Sequence, residues 1–526
     1  MWKRLAALFA CFCLGFTMLY MRLLSLTTDE ALASAGSAQS SYRLHIATVR
    51  GQIYDRNFLP LVNRSERYVA GILPTAETLA AVSPYLEDAD AVSAQIQSGR
   101  PFAAELTAPV EGEGVMTLSV PERYSANQLA AHMIGYLNDG KGVSGIEKAF
   151  DEELTAFGAK IGISYSTDGR RRAIVGLEPQ ATGTQEVVGG VVTTLDSGIQ
   201  QLAERAASLY MQRGAIIVME PYTGDLLAVV SAPDYEPDNL LPSIQDEENA
   251  PLVNRAFSAY SLGSIFKLVT AATALEEGNT SAYTHTCTGQ ADIFGQIFRC
   301  NNGVGHGTLD MRGALIESCN TYFISLAQTL TLANLRGIAS AFSFGKGSVL
   351  ADGISSQAGN LPSLADLSLP AELANFSFGQ GKLMTTPLQV AQLTSAIVNG
   401  GKTMQPRLVR GLTEDGEALI SEEEAPVYTY AISEQTAATL RSCMAAAVEE
   451  KEGLRARPYT VTAGGKTATA QTGRFHEDGT EELQAWFTGF FPADEPKYVV
   501  TVLVEDGNTG NLSAGPVFRY LADALS

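Results

Sequence analysis

Cysteine is scarce in this chain, six residues in 526, and that excludes a small disulfide-stapled scaffold. Cationic side chains are short as well: 36 Lys and Arg face 57 Asp and Glu, for a formal net charge of −21. Nucleic acid, whose phosphates need cationic cover, is excluded as a partner, and so is broad adhesion to an anionic membrane surface. Internal repeats and low-complexity tracts are missing. Apolar residues are plentiful, at 45% of the chain, enough for a large core and too many for disorder. At ~150 residues per domain, the length suggests about three domains.

One long apolar run without a charge stands at the N-terminus. Trp2-Lys3-Arg4 precedes 17 uncharged residues, Leu5 to Met21, which Arg22 ends. As a helix rising ~1.5 Å per residue, this run just crosses a hydrocarbon core. Lys3 and Arg4 would hold the N-terminus on the cytoplasmic side. The rival reading is a cleaved signal peptide, with Ala31-Leu32-Ala33 as its small-x-small site. The run exceeds the usual ~7–15-residue signal core, and that site lies ten residues past its end. A retained single-pass anchor in the plasma membrane is therefore expected, with about 500 residues outside the cytoplasm.

In that compartment, Cys287 and Cys300 flank TGQADIFGQIFR, a Gly-containing hairpin. A disulfide, two free thiols and a metal site are all open readings for this pair. With His285 and His306 the order is His-x-Cys…Cys-x5-His, a spacing that matches no common zinc module. Cys319 and Cys443 have no evident partner.

Residues 1–22 form the tip and anchor, and 23–184 a small polar stalk followed by a mixed α+β segment. The stretch from Tyr42, YRLHIATVRGQIYDRN, alternates as a strand does, AETLAAVSPYLEDADAVSAQIQ reads as short helices, and GKGVSGIEKAFDEELTAF as a turn and a helix. A different composition starts near Gln185. VVTTLDSGIQQLAERAASLYMQ reads as strand then helix, and GAIIVMEPYTGDLLAVVSAP as a hairpin. AWFTGFFPADEPKYVVTVLVE is a second hairpin and PVFRYLADAL a closing helix. Strands at both ends with helices between predict one α/β (α+β) unit over 185–526.

The segment SLGSIFKLVTAATALEEG is apolar on nearly every face, yet Lys267 stands inside it. Burying a lone ammonium is costly, and desolvation lowers its pKa until it can serve as a base. Ser264 lies one turn earlier, so nucleophile and base form a pair within one helix. Alone, S-x-x-K also fits a capping serine with a snorkelling lysine. Two further elements shift the balance. Ser318-Cys319-Asn320 falls in a turn between helices, where a hydroxyl and an amide can relay a proton and hold a substrate amide. TVTAGGKTATAQT puts Lys466 and Thr467 on an alternating strand suited to an anionic peptide terminus docking by β-augmentation. A solvated edge lysine is the plain alternative there. The order S-x-x-K, then S-x-N after 54 residues, then K-T after 148 more, is hard to obtain by chance.

With these motifs the chain resembles the penicillin-binding transpeptidases, which share the set with serine β-lactamases. It is most similar to class B, the monofunctional penicillin-binding proteins, over almost its whole length. Arg50-Gly51-x-Ile53-x-Asp55-Arg56-Asn57 and Gly142-x-x-Gly145-Ile146-Glu147 look like pedestal signatures. Thr194-Leu195-Asp196 and Asn254-Arg255-Ala256 resemble the opening of the catalytic domain. Phe378-Gly379-Gln380-Gly381, Thr386-Pro387-Leu388-Gln389 and Pro496-Lys497-Tyr498 fit the later segments.

The resemblance implies a central antiparallel sheet flanked by helices, a helical subdomain, and a pedestal behind the anchor. It implies a peptidoglycan D,D-transpeptidase that needs no metal or cofactor, acts on D-Ala-D-Ala stem peptides with an amine acceptor, and is blocked by β-lactams. A membrane glycosyltransferase is the implied partner, because ~160 residues before the catalytic domain leave no room for such a domain here. Ser264 would attack, Lys267 would act as base, Ser318 would shuttle the leaving-group proton, and Asn320 would hold the substrate amide. Lys466, Thr467 and Thr469 would bind the terminal carboxylate, and the N–H groups of Ser264 and Thr469 would form the oxyanion hole. Ala468 departs from the usual glycine, and its methyl would crowd the substrate if it pointed inward. The competing readings are a D,D-carboxypeptidase, a β-lactamase, and a non-catalytic β-lactam sensor or morphogenetic scaffold. No base for deacylation by water is evident, which counts against the β-lactamase.

Overall fold

The structure, a computed structural model, describes residues 1–28, 41–88, 92, 95–96, 98–168, 173–174, 176–183, 186–278, 283–300, 303–421 and 424–526. The Ala31-Leu32-Ala33 stretch, most of the stalk, part of the 76–97 helical segment and the boundary at Gln185 lie outside the described residues. Helix α1, Trp2–Thr27, buries none of its side chains and is, among the described residues, the one helix long and apolar enough to cross a membrane. At ~1.5 Å per residue it runs about 39 Å, past the charged Arg22 that ends the apolar run.

Two compact units follow from the contacts. The smaller holds Met1–Arg50, Asn63–Arg123 and Phe157–Val187; the larger holds Gly51–Val62, Tyr124–Ala156 and Val188–Ser526. One linear cut near residue 185 therefore does not describe the chain. The reason is strand pairing: Gln52–Tyr54 runs parallel to Gly190–Thr193, which also pairs with Val409–Thr413, and this draws residues 51–62 into the larger unit. The alternating stretch from Tyr42 is likewise two strands, Ser41–Val49 and Gln52–Tyr54, separated at Arg50-Gly51. In the smaller unit Ser41–Val49 pairs with Ala159–Ser166, and Ser65–Ile72 lies between Phe102–Leu106 and Val115–Glu122.

The larger unit is built on a five-stranded antiparallel sheet. Its strands are β1 (Gly214–Met219), β2 (Leu226–Ala232), β3 (Gly464–Phe475), β4 (Glu481–Phe491) and β5 (Tyr498–Glu505), in the order β2-β1-β5-β4-β3. Successive residues of a strand face opposite sides, and here both sides are covered. Ile216, Val218, Phe487, Val500 and Val502 pack with Ala203 of helix α2 (Ser197–Tyr210) and with Phe518 and Leu521 near the C-terminus. Ala215, Ile217, Trp486, Phe490 and Leu503 belong to the main core with the central helices. Those helices are α3 (Lys267–Glu276), α4 (Met311–Glu317), α5 (Asn320–Ala327), α6 (Pro387–Val398) and α7 (Glu434–Glu450), and α8 (Gly515–Ala524) closes the chain. Strand β3 sits at the sheet edge, so one side of its backbone faces away from the ladder.

Asp55 joins the first strands of this unit to α2. The carboxylate is fully buried and accepts from the N–H groups of Asn57 and Leu59 and from both N–H and Oγ of Ser197, at 2.7–3.1 Å. Asp55→Ala removes the acceptor of four part-buried hydrogen bonds, and hydrogen bonds to a charged acceptor are worth roughly 1.5–3 kcal/mol each with strong non-additivity. The melting transition of the larger unit should fall by several degrees, read by differential scanning calorimetry; an unchanged transition would mean that water replaces the carboxylate at no cost.

Candidate active site

The nucleophile turn is held from three sides. The Trp486 Nε1–H on β4 donates to the Ser261 carbonyl at 2.9 Å. Tyr260 and Thr385 exchange backbone hydrogen bonds, 2.8 Å each way, and the Gly263 N–H donates to the Gly379 carbonyl at 2.8 Å. Gly379 has φ +83°, and a Cβ there would collide with the Gly263 carbonyl, so the Phe378-Gly379-Gln380-Gly381 segment needs glycine at this position. Ser264–Phe266 is a 3₁₀ turn leading into α3. In a 3₁₀ turn residues i and i+3 eclipse, which lays the Lys267 side chain directly along Ser264.

Lys267 has no exposed surface. Its Nζ lies 3.0 Å from Ser264 Oγ, 2.6 Å from the Ser318 carbonyl, 2.6 Å from Asn320 Oδ1 and 3.2 Å from Ser318 Oγ. The carbonyl and the amide oxygen only accept, so they take two N–H groups of the amine. A neutral amine then has its lone pair left for a hydroxyl. Burial pulls the Lys267 pKa down to about 7, against a smaller opposing pull from the Cys300 and Cys319 thiols.

Ser318 ends α4 in the left-handed region, φ 55° and ψ 43°, uncommon for a residue with a Cβ. The Cys319 N–H closes that turn on the Ala314 carbonyl at 2.9 Å, and Asn320 begins α5 with its Nδ2 donating to the Arg299 carbonyl at 3.0 Å. From the other side comes Lys466 on β3, only 4% exposed, with Nζ 2.9 Å from Ser318 Oγ. Burial, then Lys267 and Lys451, hold its pKa well below the usual lysine range. The Ser318 hydroxyl is thus flanked by two buried amines.

A cleft of about 820 Å³ opens beside Ser264, lined by Ser318, Asn320, Thr467, Ala468 and Thr469 among others. Thr467 and Thr469 are half-buried along its wall, and Thr469 Oγ1 accepts from the Gly510 N–H at 3.1 Å. The structure therefore brings all eight residues singled out from the sequence to one place, with two differences of detail. Lys466 is buried on Ser318, so the solvated edge lysine does not describe it. Ala468 lines the cleft but is only 3% exposed, with its methyl packed in the main core. Trp486 had no role in the sequence reading, and Gln389 entered it only as the end of the Thr386-Pro387-Leu388-Gln389 segment, with no role assigned. Gln389 donates to the carbonyls of Ser343, Lys346 and Ala358, tying down the 343–358 segment. A lone Trp inside an apolar strand, and a Gln on an all-apolar helix face, were the available signals.

All six cysteines are free, so the disulfide reading for Cys287 and Cys300 is not what the structure has. A second cavity of about 760 Å³ holds His132, Glu204, Asp234 and Tyr235. Burial lowers His132 to about 4 and raises Asp234 to about 7, but the cavity lining pairs no hydroxyl with an amine.

Residues 214–523 match the family described as the penicillin-binding protein transpeptidase domain. The peptidoglycan D,D-transpeptidase PbpA of Mycolicibacterium smegmatis is 32% identical over 75% of this chain and 82% of its own. Among solved structures, the penicillin G acyl-enzyme complex of penicillin-binding protein A from Mycobacterium tuberculosis superposes with a TM-score of 0.66 at 27% identity, covering 91% of this chain and 100% of that one. A peptidoglycan synthase complex that coordinates polymerization and crosslinking contains a chain with TM-score 0.72 and 25% identity, covering 98% and 97%.

The amine geometry sets a pH dependence. Lowering a lysine pKa to about 7 makes the free base dominant above that value and the ammonium dominant below it. Acylation by a fluorescent penicillin should fall toward tenfold per pH unit below about 7 and level off above it. Lys267→Arg should fail as badly as Lys267→Ala, because a guanidinium does not deprotonate in this range. Stopped-flow labelling across pH checks both, and a near-normal rate in the Arg variant would make Lys267 an electrostatic or structural residue.

Proposed function

The chain belongs to the penicillin-binding protein transpeptidase family, and from that premise we infer that it is a class B peptidoglycan D,D-transpeptidase working through an acyl-serine intermediate that β-lactams trap. The observation that carries this reading is a hydroxyl 3.0 Å from a fully buried amine whose remaining contacts are two carbonyl-type acceptors and a second hydroxyl.

In the proposed reaction the Ser264 Oγ–H proton passes to Lys267 Nζ as Oγ attacks the penultimate D-Ala carbonyl. The oxyanion forms against the N–H groups of Ser264 and Thr469. As the intermediate collapses, the C–N bond breaks, and the departing D-Ala nitrogen receives a proton through Ser318 Oγ, which lies within 3.2 Å of Lys267 and 2.9 Å of Lys466. Asn320 orients the donor amide, and the Thr467 and Thr469 hydroxyls receive the terminal carboxylate from the cleft side. Lys466, held on Ser318, acts on the relay and adds positive charge behind the carboxylate. An acceptor amine then attacks the ester carbonyl, the bond to Ser264 Oγ breaks as the new C–N bond forms, and the amine's proton returns to Ser264 Oγ by way of Lys267, leaving a cross-link and the free enzyme. With a β-lactam the ring amide opens onto Ser264, and no leaving group diffuses away.

The location follows the same premise. Helix α1 would anchor the chain with Lys3 and Arg4 on the cytoplasmic side, so that donor and acceptor stems meet the cleft outside the membrane. A membrane glycosyltransferase is the proposed partner, since the chain resembles a component of a complex that couples polymerization to crosslinking.

Ser264→Ala in the full chain should lose covalent penicillin labelling while melting like the wild type; a drug adduct on the mutant by intact-mass spectrometry would sink the assignment. Turnover of a D-Ala-D-Ala donor with an amine acceptor should give the cross-linked product, and release of D-Ala that ignores the amine would identify a carboxypeptidase instead.

The carboxylate contact is read separately. Thr467→Val should slow acylation by carboxylate-bearing donors about 10- to 150-fold, the equivalent of roughly 1.5–3 kcal/mol. It should spare a donor whose carboxylate is an uncharged amide. A double cycle with a coupling near zero would mean that the carboxylate docks elsewhere.

A further inference from the structure

Four side chains that the reaction does not use converge beneath the Ser318-Cys319-Asn320 turn. Cys287 ends the strand His285–Cys287, whose partner is Gly307–Leu309. His306 directly precedes that partner strand, Cys300 follows the hairpin Gln290–Ile293/Gln296–Arg299, and Cys319 caps α5. The three sulfurs and one imidazole nitrogen all lie within 4.8 Å of one another, and the three cysteines are buried. The loop is wound tightly enough for this to need glycine: Gly289 has φ +98°, and a Cβ on it would strike the Gly303 carbonyl. The Cys300 N–H donates to the Gly289 carbonyl at 2.8 Å and fixes the loop.

The distances have the size of a coordination tetrahedron. Zn–S bonds of ~2.3 Å and Zn–N of ~2.05 Å place ligand atoms about 3.8 Å apart for S···S and about 3.6 Å for S···N. Cys300 Sγ is 3.8 Å from Cys319 Sγ and 3.5 Å from His306 Nδ1. A disulfide would need a sulfur pair near ~2.05 Å. Cys300 Sγ also accepts the Asn320 N–H at 3.2 Å, the kind of donor that supports a metal-bound thiolate. His285 is outside the group, with Nε2 3.1 Å from Thr321 Oγ1. The linear His-x-Cys…Cys-x5-His spacing matches no common module because one of its histidines lies outside the group and the fourth member, Cys319, sits in the Ser318-Cys319-Asn320 turn.

We propose that Cys287, Cys300, His306 and Cys319 bind one Zn²⁺ ion, a closed structural site that holds the Ser318-Cys319-Asn320 turn in register with Lys267. Binding exchanges three thiol protons for the metal, giving a tris-thiolate–imidazole complex with no change of oxidation state. The ion is no participant in the reaction. Its ligands are positioning residues, and that half of the proposal rests on the function inferred above.

The test uses the full chain purified in detergent without chelator. Elemental analysis should find about one zinc per chain in the wild type and in Cys443→Ser, with zinc largely lost in Cys287→Ser and Cys300→Ser. If those variants fail to fold, the wild type is stripped with a chelator and reloaded with Co²⁺, which should give a thiolate charge-transfer band and tetrahedral d–d bands. A chain without zinc that gives no such band, zinc that survives both substitutions, or an intact mass short of two hydrogens for a Cys300–Cys319 disulfide would each overturn the site. Stripping should also slow penicillin acylation about tenfold, with recovery on adding zinc; a zinc-loaded chain whose acylation ignores stripping would overturn the positioning role. Zinc content and labelling are separate readouts: a chain that labels but neither carries nor takes up metal refutes the site alone, and one that holds zinc without labelling refutes the function alone.

Discussion

Everything at this site follows from hiding one amine from water. An isolated ammonium in an apolar interior costs far more than any single packing contact returns. Lys267 with 0% exposure is tolerable because it is easily neutral and because two carbonyl-type oxygens sit 2.6 Å from its nitrogen. Both oxygens come from the same short turn, Ser318 and Asn320, more than fifty residues away in the chain. The α4–α5 turn must therefore pack against the first turn of α3, and the hydrophobic helices around it supply the force that presses them together. The same loss of water lowers the Lys466 pKa as well, but the hydroxyl that must give up a proton, Ser264, is the one beside the Lys267 amine.

The sheet supplies the opposite constraint, rigidity at an edge. Strands β1, β5 and β4 are apolar on both faces because helices cover both, whereas β3 has only one neighbour in the sheet. Its inward-facing residues, Lys466 and Ala468, are buried, and its half-buried threonines 467 and 469 are the ones left to a ligand. Period two thus sorts one strand into a part that belongs to the protein and a part that belongs to the substrate. The Trp486 hydrogen bond to Ser261 locks the nucleophile turn to the adjoining strand, so the hydroxyl and the strand edge move together.

Much of this was legible in the sequence because it is local. The i, i+3 relation of Ser264 and Lys267, the two-residue alternation of β3, the short apolar runs of β1 and β5, and the apolar wrap of α3 are patterns a few residues long. What was hidden depends on pairings far apart in the chain. Residues 51–62 join the larger unit only because Gln52–Tyr54 finds Gly190–Thr193, and no periodicity announces that. Lys466 reads equally well as an exposed edge lysine until Ser318 is brought within 2.9 Å of it. Cys319 had no partner in sequence because its neighbours, Cys300 and His306, are gathered by a hairpin whose register only the fold displays.

Ser318 shows how local strain and chemistry trade against each other. A left-handed backbone costs a side-chain-bearing residue roughly 1–2 kcal/mol, and glycine would remove that cost. Glycine would also remove the hydroxyl that stands 3.2 Å from one buried amine and 2.9 Å from the other. Without it the two buried nitrogens would lose the one hydroxyl that both of them contact. The strain is carried instead by the surrounding bonds: the Cys319 N–H to Ala314, the Asn320 amide to Arg299, and the Lys267 amine on the Ser318 carbonyl itself. The same amine that needs the turn for its burial is one of the contacts that hold the turn in its strained shape, so neither arrangement is stable without the other.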